Sequence, residues 1–194
     1  MDAVRTCLCG DIILNMNIEK RYKMTGGEKE KLKTPIETEI NDEEFEDAQR
    51  DKYLTFKMGV EEYGIDIRHV IEIIGIINIT VMPDTPFYVK GVINLRGKVI
   101  PVIDVRLRFA MAEKKYDERT CVIVIMVGGQ HVGLIVDEVS EVLDIPQPDI
   151  EVPPKMSKSG GRFVQGMGKV GEKVKILLNA DRLLFEEEFE SISN

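Results

Sequence analysis

Residues 91–105 read GVINLRGKVIPVIDV. Val and Ile dominate the stretch, and β-branched side chains suit the pleated surface of a strand. Gly91 and Gly97 permit sharp backbone turns on either side of VINLR, after which KVIPVIDV resumes the strand. Into this apolar run the chain inserts Arg96. Burying an unpaired guanidinium costs several kcal/mol. Arg96 therefore needs an acid beside it or a place at the surface.

The flanking sequence is β-rich in the same way. YLTFKMGVEEYGIDI (53–67) alternates Leu54, Phe56 and Met58, then Tyr63, Ile65 and Ile67, around a turn at Gly59 to Glu62. This is a hairpin pattern. CVIVIMVGGQHVGLIVDEV (121–139) is a second hairpin turning at Gly128-Gly129, apolar on both faces and so expected to be covered on both. The hairpins match at an offset of 69: Gly59 with Gly128, Gly64 with Gly133, Val70 with Val139, Glu72 with Glu141. The opening stretch matches GMGKVGEKVKILLNA at an offset of 75, Gly91 meeting Gly166, Lys98 meeting Lys173 and Asp104 meeting Asn179. The matches occur in the same order, so residues 51 to about 180 read as a duplicated β unit. Two copies are too few for a solenoid, and two small side-by-side barrels fit better.

Helices are few. In PDTPFYVKG (83–91), Asp84 or Thr85 is placed to cap a short helical turn with Pro86 at its first position. Asn179 is placed to cap an amphipathic helix over 180–192 that closes the chain. Between them, PQPDIEVPPKMSKSGGR (146–162) reads as a long exposed loop. The expected division is 51–112 mainly barrel one, 119–180 mainly barrel two and 180–192 the C-terminal helix. Residues 1–50 are charged and poorly patterned from Met24 onward. Residues 24–50 read as disordered or loosely tethered, and residues 1–23 as a mis-annotated extension preceding a true translation start at Met24.

Composition narrows the function. The net charge is −8 and the pI near 5.0, which argues against a phosphate backbone or an anionic membrane as partner. The absence of Trp and the 6% aromatic content leave no stacking platform for bases. Cys7, Cys9 and Cys121 form no disulfide framework, and the CLCG pair lacks the second pair that zinc needs. No 18-residue apolar run is present. A cytoplasmic protein without metal or cofactor is expected. His69 and His131 have no motif-spaced partners, and GMGKVG (166–171) opens no helix after a strand, so it is not a nucleotide loop. Asp66 and Glu72 are the remaining candidate acid–base pair, and nothing in their spacing forces them together. A binding protein is expected, not an enzyme.

Four segments carry a resemblance. EEYGIDIRHVIEI (61–73), PDTPFYVKGVINLRGKVIPVIDVRLRF (83–109), VIVIMVGGQHVGLIVDEVSEVL (122–143) and GMGKVGEKVKILLNADRLL (166–184) are similar, in order, to the CheW family of bacterial chemotaxis. The resemblance covers about residues 51–185, and KGVINLRGKVIPVIDV is its most specific part. It implies an all-β fold: two interlocked, five-stranded, SH3-like β-barrels with a short helix between and a C-terminal helix. It also implies a non-catalytic scaffold, monomeric when free and recruited to membrane receptor arrays. Its partners would be the regulatory domain of the histidine kinase CheA and the cytoplasmic tip of methyl-accepting chemoreceptors. An adaptor for another kinase pathway, such as surface motility, is the alternative.

By the same resemblance, Arg96, Asn94 and Val139 match receptor-binding positions, and Ile67, Val70 and Glu72 match kinase-binding ones. Gly91, Gly97, Gly133 and Gly166 are expected to be structural. Two readings of Arg96 coexist: an intramolecular ion pair with Glu72, and a contact to the receptor tip. Gly171 occupies its place in the second copy. A residue needed only to close a barrel should recur, so the asymmetry favours a partner.

Overall fold

A computed structural model describes residues 49–153 and 161–184. Nearly all of the expected extension, including Met24, Cys7 and Cys9, lies outside the described residues, as does the expected helix beyond Leu184. Eleven strands are described: β1 (Lys52–Met58), β2 (Glu61–Asp66), β3 (Val70–Gly75), β4 (Val89–Leu95), β5 (Lys98–Asp104), β6 (Cys121–Val127), β7 (Gln130–Val136), β8 (Glu138–Asp144), β9 (Ile150–Glu151), β10 (Val164–Val170) and β11 (Lys173–Leu178). Helix α1 (Val105–Arg108) follows β5, and α2 (Ala180–Leu184) follows β11.

These strands form two sheets. Barrel 1 has the order β8-β1-β2-β11-β10-β9 and barrel 2 the order β3-β6-β7-β5-β4. The expected division into contiguous halves is corrected here. Barrel 1 takes β1 and β2 from the first repeat and its other strands from the second; barrel 2 takes β6 and β7 from the second repeat and β3, β4 and β5 from the first. The duplication explains the exchange. Parallel pairing sets Leu177 opposite Gly64 in barrel 1 and Val102 opposite Gly133 in barrel 2, the same contact moved by the two sequence offsets. Register shifts fall at Val89/Gly91 and, equivalently, at Val164/Gly166. Each repeat donates its hairpin to one barrel and its last strands to the other, so neither half can bury its apolar faces alone.

Among the described residues three apolar clusters result. The largest, with Leu54, Phe56, Met58, Ile65, Ile123, Ile125 and Leu134, draws on both sheets and forms the shared core. Ile93, Ile100, Val102, Val122, Val124 and Ile135 fill barrel 2, whereas barrel 1 has the smaller group Tyr53, Ile145 and Leu177. Alternation along β1 decides the side: Tyr53 enters the private cluster, and Leu54 and Phe56 the shared one. Cys121 is a buried thiol in that shared core.

The short helix between the barrels is not where the sequence reading placed it. Residues 84–88 form turns, and the helix is α1 at Val105–Arg108. Its cap is Asp104, whose Oδ1 accepts from the Arg106 amide at 2.9 Å and the Leu107 amide at 3.3 Å. Asn179 serves α2 likewise, accepting from the Arg182 amide at 2.9 Å. Thus the aligned pair Asp104 and Asn179 perform one task in both repeats. Arg108 lies at the junction of the repeats. Its guanidinium sits 4.3 Å from the Tyr88 ring centroid and 4.8 Å from that of Phe163, and its Nε donates to the Leu183 carbonyl at 3.2 Å. Tyr88 and Phe163 are equivalent at offset 75, and so are Arg108 and Leu183.

Candidate functional site

Arg96 stands at the tip of the β4–β5 hairpin. The turn residues Arg96 and Gly97 have φ of 50° and 84°, the doubly positive pattern of a tight hairpin that matches strand twist. Asn94 stabilises it, its Oδ1 accepting from the Gly97 amide at 2.9 Å. The Arg96 Nη2 donates to Glu72 Oε2 at 3.0 Å, joining the hairpin tip to β3. Its side chain is nonetheless 80% exposed, against 22% for Glu72. The ion pair foreseen in the sequence is present, and it leaves most of the guanidinium facing water.

The other candidate positions divide by burial. Val70 and Val139 are 1% and 5% exposed and belong to the shared core, with Ile67 beside them. Val139 lies opposite Phe56 on β1, and Val70 opposite Ile125 on β6. These equivalent valines anchor the strand edges. The structure therefore groups Arg96, Asn94 and Glu72 at one surface and sets Val70 and Val139 beneath it or elsewhere in the core.

Three of the four glycines expected to be structural meet close neighbours. A Cβ on Gly133 would stand 2.7 Å from Val102 Cγ1 and 2.8 Å from Val122 Cγ1. One on Gly166 would stand 2.4 Å from Ile150 Cγ2, and one on Gly91 would stand 2.1 Å from the Thr80 carbonyl oxygen. Gly97 has open space around it and is required by its φ instead.

Asp66 and Glu72 do not converge. Asp66 accepts from the Arg68 amide and guanidinium, and Glu72 engages Arg96. Among the described residues no group of His, Cys, Asp and Glu is arranged for a metal, and no helix is long and apolar enough to cross a membrane. Sequence reading passed over several buried polar groups. Lys175 reaches Glu62 at the end of barrel 1, and Arg106 reaches Asp137 at 2.6 Å, an oxygen that also accepts from the Gly59 amide at 2.8 Å. The Tyr116 hydroxyl donates to Asp104 Oδ2 at 2.9 Å. Burial first, and that carboxylate second, raise the Tyr116 phenol well above the ordinary tyrosine value. No spacing motif marks these contacts: Lys175–Glu62 and Arg106–Asp137 join residues brought together by the strand exchange, and Tyr116 turns back to Asp104 across the loop after α1.

Residues 52–188 match the family model described as the CheW-like domain. The chain belongs to the CheW family. A chemotaxis protein CheW from Klebsiella aerogenes is 41% identical over 144 residues, 74% of this chain and 87% of that protein. The Helicobacter pylori chemotaxis protein CheW is 34% identical over 133 residues, 69% and 81% of the two chains. The crystal structure of the scaffolding protein TtCheW from Thermoanaerobacter tengcongensis superposes with a TM-score of 0.67 at 37% identity, covering 71% of this chain and 94% of that one. The double SH3-like barrel is thus the CheW fold, and this CheW-family chain is a non-catalytic chemotaxis scaffold.

Proposed function

We propose that the chain couples transmembrane chemoreceptors to the histidine kinase CheA. In this reading it holds the kinase's regulatory domain and the receptor's cytoplasmic hairpin tip within a membrane-associated array. Arg96 grips the receptor tip, and Asn94 fixes the turn that presents it. Glu72 orients the guanidinium and, with the β3 surface around Ile67 and Val70, faces the kinase. Buried Val70 and Val139 act by holding β3 and β8 in place.

One observation carries the reading. Arg96 occupies a left-handed backbone position filled by Gly171 in the other repeat, where φ is 59°. A non-glycine residue there costs on the order of 1 kcal/mol, and an exposed ion pair returns about 0.2–1 kcal/mol at most. Stability alone therefore does not favour arginine over glycine, whereas presenting a cation to a partner does. Pairwise contacts of this kind are expected to be weak singly and to gain strength through repetition in the array.

The test uses the full chain, wild type and Arg96→Ala, after matched thermal melts. Binding is measured separately to a CheA regulatory domain and to a receptor cytoplasmic fragment. Loss of receptor binding with kinase binding kept supports the assignment. Retention of both assigns Arg96 to the ion pair alone, and failure of the wild type to bind either partner refutes the coupling role.

A further inference from the structure

The two repeats build the same bulge and furnish it differently. Val70 faces Ile125 on β6, Val139 faces Phe56 on β1, and the ladder shifts just beyond each pair. In barrel 2, Val124 and Ile71 at this bulge belong to the apolar filling, and Glu72 receives Arg96 from the β4–β5 turn. The repeat symmetry converts Glu72 to Glu141, Ile71 to Ser140, Ile73 to Val142, Val124 to Thr55 and Arg96 to Gly171. Barrel 1 therefore keeps the acid of this clamp and lacks the cation.

The acid is held in place by groups that barrel 2 does not have. Thr55 is fully buried, and its hydroxyl donates to the Glu141 carbonyl at 2.7 Å and accepts from the Glu141 amide at 3.2 Å. The backbone of Glu141 is thus fixed, while its exposed carboxylate meets no cation among the described residues. Next to it, Ser140 Oγ is buried and has no hydrogen-bond partner among the described residues, a rare condition for a buried polar atom. On the other side Val142 is 37% exposed, whereas its counterpart Ile73 is 2% exposed. A fixed carboxylate, an unpartnered hydroxyl and an uncovered aliphatic side chain adjoin on β8, where barrel 2 has a paired acid and a covered isoleucine.

We propose that Glu141 takes its cation from a partner: an arginine or lysine of the chemoreceptor's cytoplasmic tip fills the place that Arg96 fills in barrel 2, and an aliphatic neighbour packs on Val142. The inference rests on the coupling role given above. Val139, the receptor-matched valine two residues before Glu141, sets β8 on the receptor side, whereas Val70 sets β3 on the kinase side. An acid at Glu141 and a cation at Arg96 give the scaffold two contacts of opposite sign, which together fix the register of a docked partner.

Binding of the full chain to a receptor cytoplasmic fragment and, separately, to a CheA regulatory domain tests this at low and high ionic strength. Glu141→Gln should weaken receptor binding several-fold at low ionic strength and less at high ionic strength, with kinase binding unchanged. The turn of barrel 2 is also transplanted. G171R/E172G recreates Arg96-Gly97 where a Cβ on Gly171 meets open space, supplies the cation from within the chain, and should weaken receptor binding to a similar degree. Adding Glu141→Gln to the transplant should cause no further loss, because both changes act on one contact. Glu141 is exposed, so its substitution spares the fold, and matched melting curves check the transplant. Receptor binding unchanged by Glu141→Gln overturns the proposal, as do loss of kinase binding in its place and additive losses in the combined variant. If Arg96→Ala abolishes receptor binding and Glu141→Gln does not, this inference fails and the coupling role stands. A wild-type chain that binds neither partner refutes both.

Discussion

Gly91 and Gly166 are equivalent residues in the two repeats, yet replacing each with alanine should have different consequences. Gly91 has φ of 134°, a region nearly closed to other residues, and occupying it costs about 1–3 kcal/mol. The added Cβ would lie 2.1 Å from the Thr80 carbonyl oxygen, which is backbone and must retreat. Retreat breaks the reciprocal bonds Thr80 N–H to Val92 O and Val92 N–H to Thr80 O, both 2.9 Å. At about 1 kcal/mol each, the total for Gly91→Ala is about 3–5 kcal/mol. Gly166 lacks a positive φ, and its new Cβ would meet the tip of the Ile150 side chain at 2.4 Å and the Glu151 oxygen only at 3.3 Å. Repacking one side chain costs about 1–2 kcal/mol. Denaturant unfolding of the two variants, with the transition slopes compared, reads the difference directly. A Gly91→Ala cost within about 1 kcal/mol of that for Gly166→Ala would refute this steric reasoning.

Further outcomes follow from the same contacts. Arg96→Gly should leave stability within about 1 kcal/mol of wild type, since relief of the left-handed strain offsets the lost ion pair and the added chain entropy; a loss above about 2 kcal/mol in denaturant unfolding would make the arginine structural. Arg108→Met keeps the apolar stem but removes the bond to the Leu183 carbonyl and the cation between two rings. It should cost about 2–4 kcal/mol and speed proteolysis near α2, and neither change is expected if the guanidinium is dispensable. Burial first raises the phenols of Tyr53, Tyr63 and Tyr116 above the ordinary tyrosine value of about 10. The unfolded chain then sheds these protons first, so their contribution is complete below about pH 10 and falls as pH rises beyond it. Tyr116→Phe should flatten that alkaline decline in a pH series of melting temperatures, and an unchanged slope would show that the phenol titrates freely.

The hairpins, the duplication and the family were legible because they rest on local signals. Period-two alternation in 53–67, paired glycines at the turns and the run GVINLRGKVIPVIDV survive without knowledge of any distant contact. The Arg96–Glu72 pair was also foreseeable, as a lone cation in an apolar strand needs an acid and Glu72 was the natural candidate. The misplaced helix had a local cause as well. Pro86 after Asp84 and Thr85 satisfies helix-start preferences, but the chain there forms turns with Asp84 at φ 56°, while Asp104 found two amides to cap.

Sequence alone thus determined which segments are strands, that they form two related sets, and that Arg96 needs an acid or a surface. Only the tertiary structure decided which set each strand joins. Pairing partners as distant as Val102 and Gly133, or Ile176 and Tyr63, leave no periodic trace, because any apolar strand of fitting length could supply the missing edge. The choice depends on how both repeats bury their faces together, and that exchange sets Arg108 between Tyr88 and Phe163 and closes barrel 1 with Lys175 and Glu62.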